Sequence, residues 1–285
     1  MTFFLYARRL VRIMLAGVVS VTCLTGSAMA QGAAAPHPGS ITVTASANIP
    51  SVYFFRGIRQ EYDPKFTWWP YGDVGITLHS GDGGVKSARV NVGARNSLHT
   101  GSSGSNGGSG RAYYEADFYS TLTLGFSKGV SVGTTFTAYT SPNQSFNTVK
   151  EMSFKIAAAQ KYAPYGIVAF ELSGQADEGL KRGTYLEIGV GPSWPIGGSR
   201  VTMTFPVKLG MSLKDYYEGR AGDEKFGFFD GGILVTLPLS KGSGNVGAWN
   251  IHGGVDFLAL GKTTEAFNKG NARQVIVMGG VGWSY

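Results

Sequence analysis

The sequence has a single cysteine, Cys23, among its 285 residues. One thiol forms no disulfide, Cys-ligated zinc site or redox pair within the chain. Histidine is also scarce, and no metal-ligand spacing or phosphate-binding loop accompanies the four that occur, His37, His79, His99 and His252. Beyond residue 30, no apolar run is long enough for a transmembrane helix. We therefore predict no cofactor, no metal site and no catalytic residue set.

Residues 1–30 have the three parts of a secretory signal peptide. An n-region with three arginines precedes a short apolar stretch, and Ala28–Ala30 fits the small-x-small cleavage pattern. The apolar stretch is too short to span a bilayer of about 30 Å. We predict export through the Sec translocon, cleavage after residue 30 and a short disordered segment at 31–40. Lipidation at Cys23 is the alternative, although Thr22 is a poor match to the small residue expected before a lipidated cysteine.

The charge balance indicates no nucleic-acid partner. The chain has 25 Lys and Arg against 18 Asp and Glu, a net charge of +7, and loss of the three leader arginines reduces it to +4. No basic stripe and no nucleic-acid motif occurs in the sequence.

The dominant pattern beyond residue 40 has a period of two residues. In the last segment, Val275, Val277 and Val281 alternate with Gln274 and Gly280, which is typical of a half-buried strand. Twelve such segments, most about ten residues long, begin near Ile41, Pro70, Ala88, Tyr113, Val130, Thr148, Ile167, Thr184, Arg200, Phe228, Trp249 and Gln274. We predict an all-β chain with one domain at 41–285, an antiparallel transmembrane β-barrel of about 12 strands.

The predicted connections alternate in length, as they do in outer-membrane barrels. The short ones are Ser127–Gly129, Tyr162–Gly166 and Gly197–Ser199, and the longer ones surround Gly101–Gly110, Lys214–Glu224 and Lys262–Ala272. The Gly/Ser-rich run Thr100–Gly110 is predicted to be a mobile loop tip. Pro192, Pro206 and Pro238 fall inside predicted strands. Because proline removes a ladder hydrogen bond, we expect shifted strand boundaries or bulges there.

Alternation by itself fits either a soluble sandwich or a membrane barrel with a polar interior. The barrel interpretation predicts that an ionic face lines the lumen, with the residues Arg89, Arg95, Glu115, Asp117, Glu151, Lys155, Glu171, Glu187, Lys208, His252 and Asp256. Aromatic residues favour the barrel because they cluster at both sets of strand ends, as interfacial girdles do. One predicted girdle contains Trp68, Trp69, Tyr71, Tyr113, Tyr114, Tyr216, Tyr217, Phe226 and Phe228, and the other contains Phe126, Tyr162, Tyr165, Trp194, Trp249, Trp283 and Tyr285.

The last strand is similar to the C-terminal signal that the barrel-assembly machinery reads. Tyr285 is a terminal aromatic residue, Trp283 lies two positions before it, and Gly280 lies five before it, although Met278 departs from the usual polar residue. We predict insertion by that machinery into outer-membrane lipid.

The segment Ser51–Gln60 resembles the N-terminal motif S-D-Y-x-F-R-G-x-S-Q of the TorF-like putative porins, the Gcw_chp family. The matching residues are Ser51, Tyr53, Phe55, Arg56, Gly57 and Gln60, while Val52 and Arg59 replace the motif's Asp and second Ser. The resemblance extends over nearly all of the chain beyond the signal. It implies a channel role and transfers no catalytic residues.

The function predicted from these features is a porin-like channel for small hydrophilic solutes. Small residues on the predicted inner face would leave room for water, at Gly75, Gly93, Gly133, Gly189, Gly191, Gly210, Gly232, Gly254, Gly280 and Gly282. Inward folding of Lys214–Glu224 would close such a lumen. An outer-membrane lipid-modifying enzyme is an alternative, but the predicted phase places His252 and Asp256 inside, away from lipid. A structural or adhesive barrel without conductance is the other alternative.

Overall fold

Twelve antiparallel strands close into one barrel in the computed structural model, which describes residues 40–103, 112–177, 179, 181–219, 222–240 and 247–285. The predicted signal peptide, the segment 31–39 with His37, and most of the predicted mobile loop tip lie outside the described residues. Among the described residues, no helix has the length and apolar character needed to cross a membrane.

The strands are numbered around the barrel wall. They are β1 (Ile41–Pro50), β2 (Thr67–Ser80), β3 (Val85–His99), β4 (Tyr113–Phe126), β5 (Val130–Thr140), β6 (Val149–Ala158), β7 (Tyr165–Ser173), β8 (Thr184–Val190, continued by Ser193–Pro195), β9 (Thr202–Thr204, continued by Val207–Lys214), β10 (Phe226–Pro238), β11 (Ala248–Leu260) and β12 (Arg273–Ser284). Each of the twelve predicted starting points lies within three residues of an observed one. The barrel closes because β1 pairs with β12, from Thr44 opposite Ser284 to Pro50 opposite Met278.

Alternation along each strand separates a charged interior from an apolar exterior. On β6, Glu151 and Lys155 face inward and are 3% and 8% exposed, whereas Phe154 and Ile156 face outward and are 47% and 57% exposed. A soluble sandwich would have the opposite polarity. The outer wall therefore suits hydrocarbon, and closure of the sheet satisfies its backbone groups without water.

The connections at the two ends of the barrel differ in length, as predicted. At one end, called the loop end, the strands are joined by residues 51–66, 100–112, 141–148, 174–183, 215–225 and 261–272. At the other, called the turn end, they are joined by residues 81–84, 127–129, 159–164, 196–201 and 239–247. One loop at the loop end contains the short helix α1 (Lys262–Phe267).

The three prolines lie where the ladder is interrupted or ends. Pro192 separates the two parts of β8, Pro206 separates the two parts of β9, and Pro238 is the last residue of β10. The carbonyl of Pro192 accepts a hydrogen bond from the Phe205 backbone N–H at 2.9 Å, so the two breaks lie side by side in the wall. The expected conflict is resolved by shifted strand boundaries.

The loop after β1 folds into the barrel. Its residues 51–60, called the inner hairpin, include the paired segments Phe54–Phe55 and Ile58–Arg59. The turn between them needs positive φ at both central residues, 48° at Arg56 and 80° at Gly57, which is the pattern of a type I′ turn. The hairpin crosses the lumen, because its apolar side chains pack against buried residues of several strands, Tyr139 of β5, Tyr185 of β8, Leu234 of β10, Leu258 of β11 and Ile276 of β12.

Several aromatic residues predicted for the girdle at the loop end are inside the barrel instead. Trp68, Tyr113 and Phe226 are exposed on the outside, as a girdle requires. The buried ones are Trp69, Tyr114, Tyr216, Tyr217 and Phe228, which pack around the inner hairpin. The prediction was wrong for these five residues. Aromatic residues that pack inside the lumen and aromatic residues of a girdle are of the same types and lie near the same strand ends.

Candidate functional site in the barrel lumen

The structure places all eleven residues predicted to line the lumen on the inward face. Ten of them are deeply or mostly buried, and Arg89 is half-buried near the turn end. They form local groups of opposite charge. Lys208 of β9, for example, lies 2.9 Å from the Asp230 carboxylate of β10.

Two acids and one arginine form the first group, near the loop end. Arg95 of β3 donates from Nε to Asp117 Oδ2 of β4 at 2.9 Å and from Nη2 to the same oxygen at 2.5 Å. Glu115 lies 3.7 Å from Arg95, and Tyr53 of the inner hairpin accepts a hydrogen bond from Arg95 at 3.4 Å. The hairpin is thus held against this wall by a polar contact as well as by packing.

Arg56, in the turn of the inner hairpin, forms the second group. Its Nη1 and Nη2 atoms donate to the two Glu151 oxygens at 2.6 and 2.8 Å, and Nη1 also donates to the Tyr216 hydroxyl at 2.8 Å. The guanidinium carbon lies 4.1 Å from the centre of the Tyr185 ring. Although burial alone would lower the pKa of Arg56, the Glu151 carboxylate raises it above the ordinary value. Arg56 is therefore a fully charged group at the tip of the inner hairpin.

The third group lies on the side of the inner hairpin that faces the turn end. The Lys155 ammonium lies over the Tyr165 ring at 4.6 Å. The Tyr165 hydroxyl donates to Glu187 at 2.9 Å, and the Tyr185 hydroxyl donates to the same carboxylate at 2.6 Å. Tyr165 therefore connects Lys155 of β6 with Glu187 of β8 along the inner wall.

Most of the inward glycines do not leave empty space. The Arg89 guanidinium lies over Gly75, and the Phe228 ring lies over Gly210, where any Cβ would collide with it. The same holds for Gly93 under Tyr119, Gly189 under Tyr165, Gly232 under Asp256, Gly254 beside the Ile233 carbonyl, Gly280 under Asn48 and His252, and Gly282 under Asn250. Neighbouring groups therefore occupy the space beside most of the inward glycines, and these positions do not by themselves provide a path for water.

Space remains at the turn end. A Cβ at Gly191 would meet no atom within 4 Å, and one at Gly133 would be in ordinary contact at 3.8 Å. Inward side chains nearby, such as Arg89 and Thr123, are half-exposed, whereas those nearer the loop end are buried. Among the described residues, the inward side chains are therefore more exposed near the turn end than near the loop end.

A buried polar network, which the sequence pattern did not reveal, fixes the base of the inner hairpin. His99 contacts Ser97 Oγ at 2.7 Å and Ser103 Oγ at 3.2 Å, and its ring lies 3.8 Å from Glu61. Glu61 also accepts hydrogen bonds from the Tyr53 backbone N–H at 2.6 Å and from the Thr67 hydroxyl. Burial raises the pKa of Glu61.

The Ser, His and Glu types of this network resemble those of a hydrolase, but their surroundings differ. Ser97 accepts a hydrogen bond from Trp69 Nε1 at 2.8 Å, and Ser97, His99 and Glu61 are all buried. A nucleophile needs access to its substrate. The network is therefore an anchor for the loop.

His252 is also internal, as its predicted phase required. Its ring nitrogens contact Asn48 at 2.7 Å and Asn250 at 3.0 Å, and both partners lie inside the barrel. Across the described part of the chain, no three His, Cys, Asp or Glu side chains come together as metal ligands.

Comparison with known proteins gives structural likenesses only. No protein-family model and no curated protein matches the chain. The NanC porin is 9% identical, with a TM-score of 0.46 over 85% of this chain and 98% of that one. The KdgM porin, solved with disordered oligogalacturonate, is 7% identical, with a TM-score of 0.41 over 86% and 99%. Outer membrane phospholipase A from Escherichia coli is 11% identical, with a TM-score of 0.43 over 85% and 92%. Because these TM-scores are low, the fold assignment rests on the strand pairing of this chain itself.

Proposed function

We propose that this protein is an outer-membrane channel for small hydrophilic solutes, held closed at its loop end by the inner hairpin. The observation that carries the proposal is the polarity of the wall, which is charged on the inside and apolar on the outside. An interior built only for stability would be better filled with apolar side chains, since buried ion pairs contribute little net stability. The half-exposed inward side chains at the turn end, such as Arg89 and Thr123, are polar and suit water and polar solutes.

The delivery route is part of the same proposal. The signal at residues 1–30 sends the chain through the Sec translocon, and the barrel-assembly machinery inserts it at the signal formed by Gly280, Trp283 and Tyr285. We also propose that the chain is a member of the TorF-like family. Support comes from the motif residues Arg56 and Gly57, which form the turn of the inner hairpin and would give the motif a shared role in closing the barrel.

Swelling of proteoliposomes tests the proposal. We compare the full-length mature protein with a variant whose residues 54–59 are replaced by a short Gly-Ser turn. Vesicles with the variant should swell in a small sugar such as arabinose faster than vesicles with the parent, and neither should swell in a large dextran.

Heat-modifiable migration on a gel serves as the control that both proteins are folded barrels. Folded variant protein that leaves arabinose excluded would contradict the channel function and favour a structural or adhesive barrel.

A further inference from the structure

The tip of the inner hairpin occupies a cage formed by the barrel wall and by Tyr216 of the loop at 215–225. Glu151 of β6 faces the guanidinium of Arg56 with both oxygens, and the guanidinium carbon lies 4.1 Å from the centre of the Tyr185 ring of β8. The Tyr216 hydroxyl accepts a third hydrogen bond at 2.8 Å. A planar cation is thus recognised by a carboxylate in the fork geometry and by an aromatic face.

The wall groups of the cage are held in place without the hairpin. The Tyr185 hydroxyl donates to Glu187 at 2.6 Å, and Tyr139 of β5 donates to Glu151 at 3.4 Å. Both carboxylates belong to barrel strands whose ladders do not involve the hairpin. If the hairpin withdrew, Glu151 and Tyr185 would keep these wall contacts, and the Glu151 carboxylate would lose its partner Arg56.

The surrounding wall is acidic. The register places Glu151 directly opposite Glu171 of β7. Two more acids, Glu115 and Asp117, lie near the loop end, and Arg95 is the basic partner that the wall supplies to them. Arg56 enters from the loop and adds the second positive charge. Withdrawal of the hairpin would leave Glu151 without the positive charge that Arg56 supplies, and an unpaired carboxylate attracts cations.

Arg56 fits the cage less completely than a free ligand would. Its backbone φ of 48° is in the left-handed region, which is unfavourable for a residue with a Cβ. Among the described residues, its buried Nε atom finds no hydrogen-bond partner. A small guanidinium compound would make the same contacts without that backbone strain.

We infer that this cage is a binding site for small organic cations of the guanidinium or amidinium type, and that Arg56 is the internal competitor that occupies it in the closed channel. The inference rests on the proposed function and deepens it, because it names a solute class. The paired N–H groups match the two Glu151 oxygens, and the planar cation matches the Tyr185 face. A round, strongly hydrated ammonium or metal ion matches neither feature as well.

Calorimetric titration of the purified, folded protein with methylguanidinium tests the site without any need for conductance. Arg56→Ala should bind methylguanidinium saturably, and Arg56→Ala/Glu151→Gln should bind it at least about tenfold more weakly, as loss of a charge-assisted pair predicts. Methylurea, which is planar but neutral, should bind Arg56→Ala no better than the double variant binds methylguanidinium. Arg89→Ala is the matched control, since it removes a lumen guanidinium that lies outside the cage and donates hydrogen bonds to Asn91 and Thr42.

A second measurement uses the native chain, in case Arg56→Ala does not fold. Methylguanidinium should speed hydrogen exchange of the hairpin amides, including the Gln60 N–H bonded to the Tyr53 carbonyl, and Glu151→Gln should abolish that dependence. Binding by Arg56→Ala no tighter than by Arg89→Ala, or exchange that methylguanidinium leaves unchanged, would overturn the inference whatever the conductance. Saturable binding in a protein that never conducts would support the cage and count against the channel function alone.

Discussion

Arg56 is 2% exposed, bears a full charge and lies 95 residues away in sequence from its partner Glu151. Removing one member of such a pair leaves the other buried without compensation, and this costs more than the pair itself contributes. The pair therefore acts mainly by holding the inner hairpin against the barrel wall in a defined geometry. Its effect on closure depends on both members being present.

A double-mutant cycle measures this coupling. Arg56→Ala alone should lower the free energy of unfolding by about 3 kcal/mol or more, because Glu151 is left buried and charged. The double variant Arg56→Ala/Glu151→Ala should lose less than the sum of the two single losses, by about 1 kcal/mol or more. Urea unfolding of the protein in vesicles gives the three values. Strictly additive losses would show that the two side chains do not interact.

The inner hairpin depends on the backbone conformation of its turn. Gly57 has a φ of 80°, and a Cβ built there would lie 3.0 Å from Phe228. Strand positions could be read from the sequence because alternation is local, and β6 is an example in which Phe154 points outward and Lys155 inward. The hairpin position could not be read, because Tyr216 and Glu151 reach it from distant parts of the chain.

Gly57→Ala tests the turn. The left-handed backbone costs alanine about 1 kcal/mol relative to glycine, and contact with Phe228 adds to this, so the hairpin should open more often. Hydrogen exchange of the hairpin amides should speed up. The matched control is Gly72→Ala, where a Cβ would meet nothing within 4 Å. Equal exchange rates in the two variants would refute the role given to the turn.

The contact between the loops at 174–183 and 215–225 should depend on pH. Asp177 accepts hydrogen bonds from the backbone N–H groups of Glu218 at 2.6 Å and Gly179 at 2.8 Å, and burial raises its pKa from 3.8 to about 6. Because the folded state holds this proton more tightly than the unfolded state, the contribution to stability is complete below pH 4. It is lost as the pH rises through about 6.

Hydrogen exchange at Glu218, corrected for the intrinsic rate, measures this dependence. Protection of the Glu218 amide should be greater at pH 4 than at pH 7, and Asp177→Asn should remove the difference. Protection that rises between pH 4 and pH 7 in the unaltered protein would have the opposite sign and would contradict the assignment.

For the whole molecule, the sequence allows prediction of strand number, wall polarity and the two kinds of connection, because a closed barrel repeats one local pattern twelve times. The state of the lumen depends on where the long loops go and on which side chains cover the inward glycines. Both are tertiary properties. Gly75 and Gly191 have the same residue type, yet Arg89 covers the first, whereas no atom of the described residues lies within 4 Å of a Cβ built at the second.

That difference gives a prediction about the conducting path. In the variant without the inner hairpin, Gly191→Trp should reduce the single-channel conductance by a large fraction, because the indole enters open space in the lumen. Gly72→Trp, on the outward face, is the control and should leave conductance unchanged. Equal conductance of the two variants would show that the conducting path does not pass Gly191.

Single-channel recording in a planar bilayer tests the central claim, that the barrel is a channel closed by its inner hairpin. The parent protein should be mostly silent with brief openings, and the variant lacking residues 54–59 should show long-lived, discrete conductance steps. Both proteins must show the heat-modifiable migration of a folded barrel. Folded hairpin-less protein that stays silent, or a parent that conducts as fully as the variant, would contradict the claim.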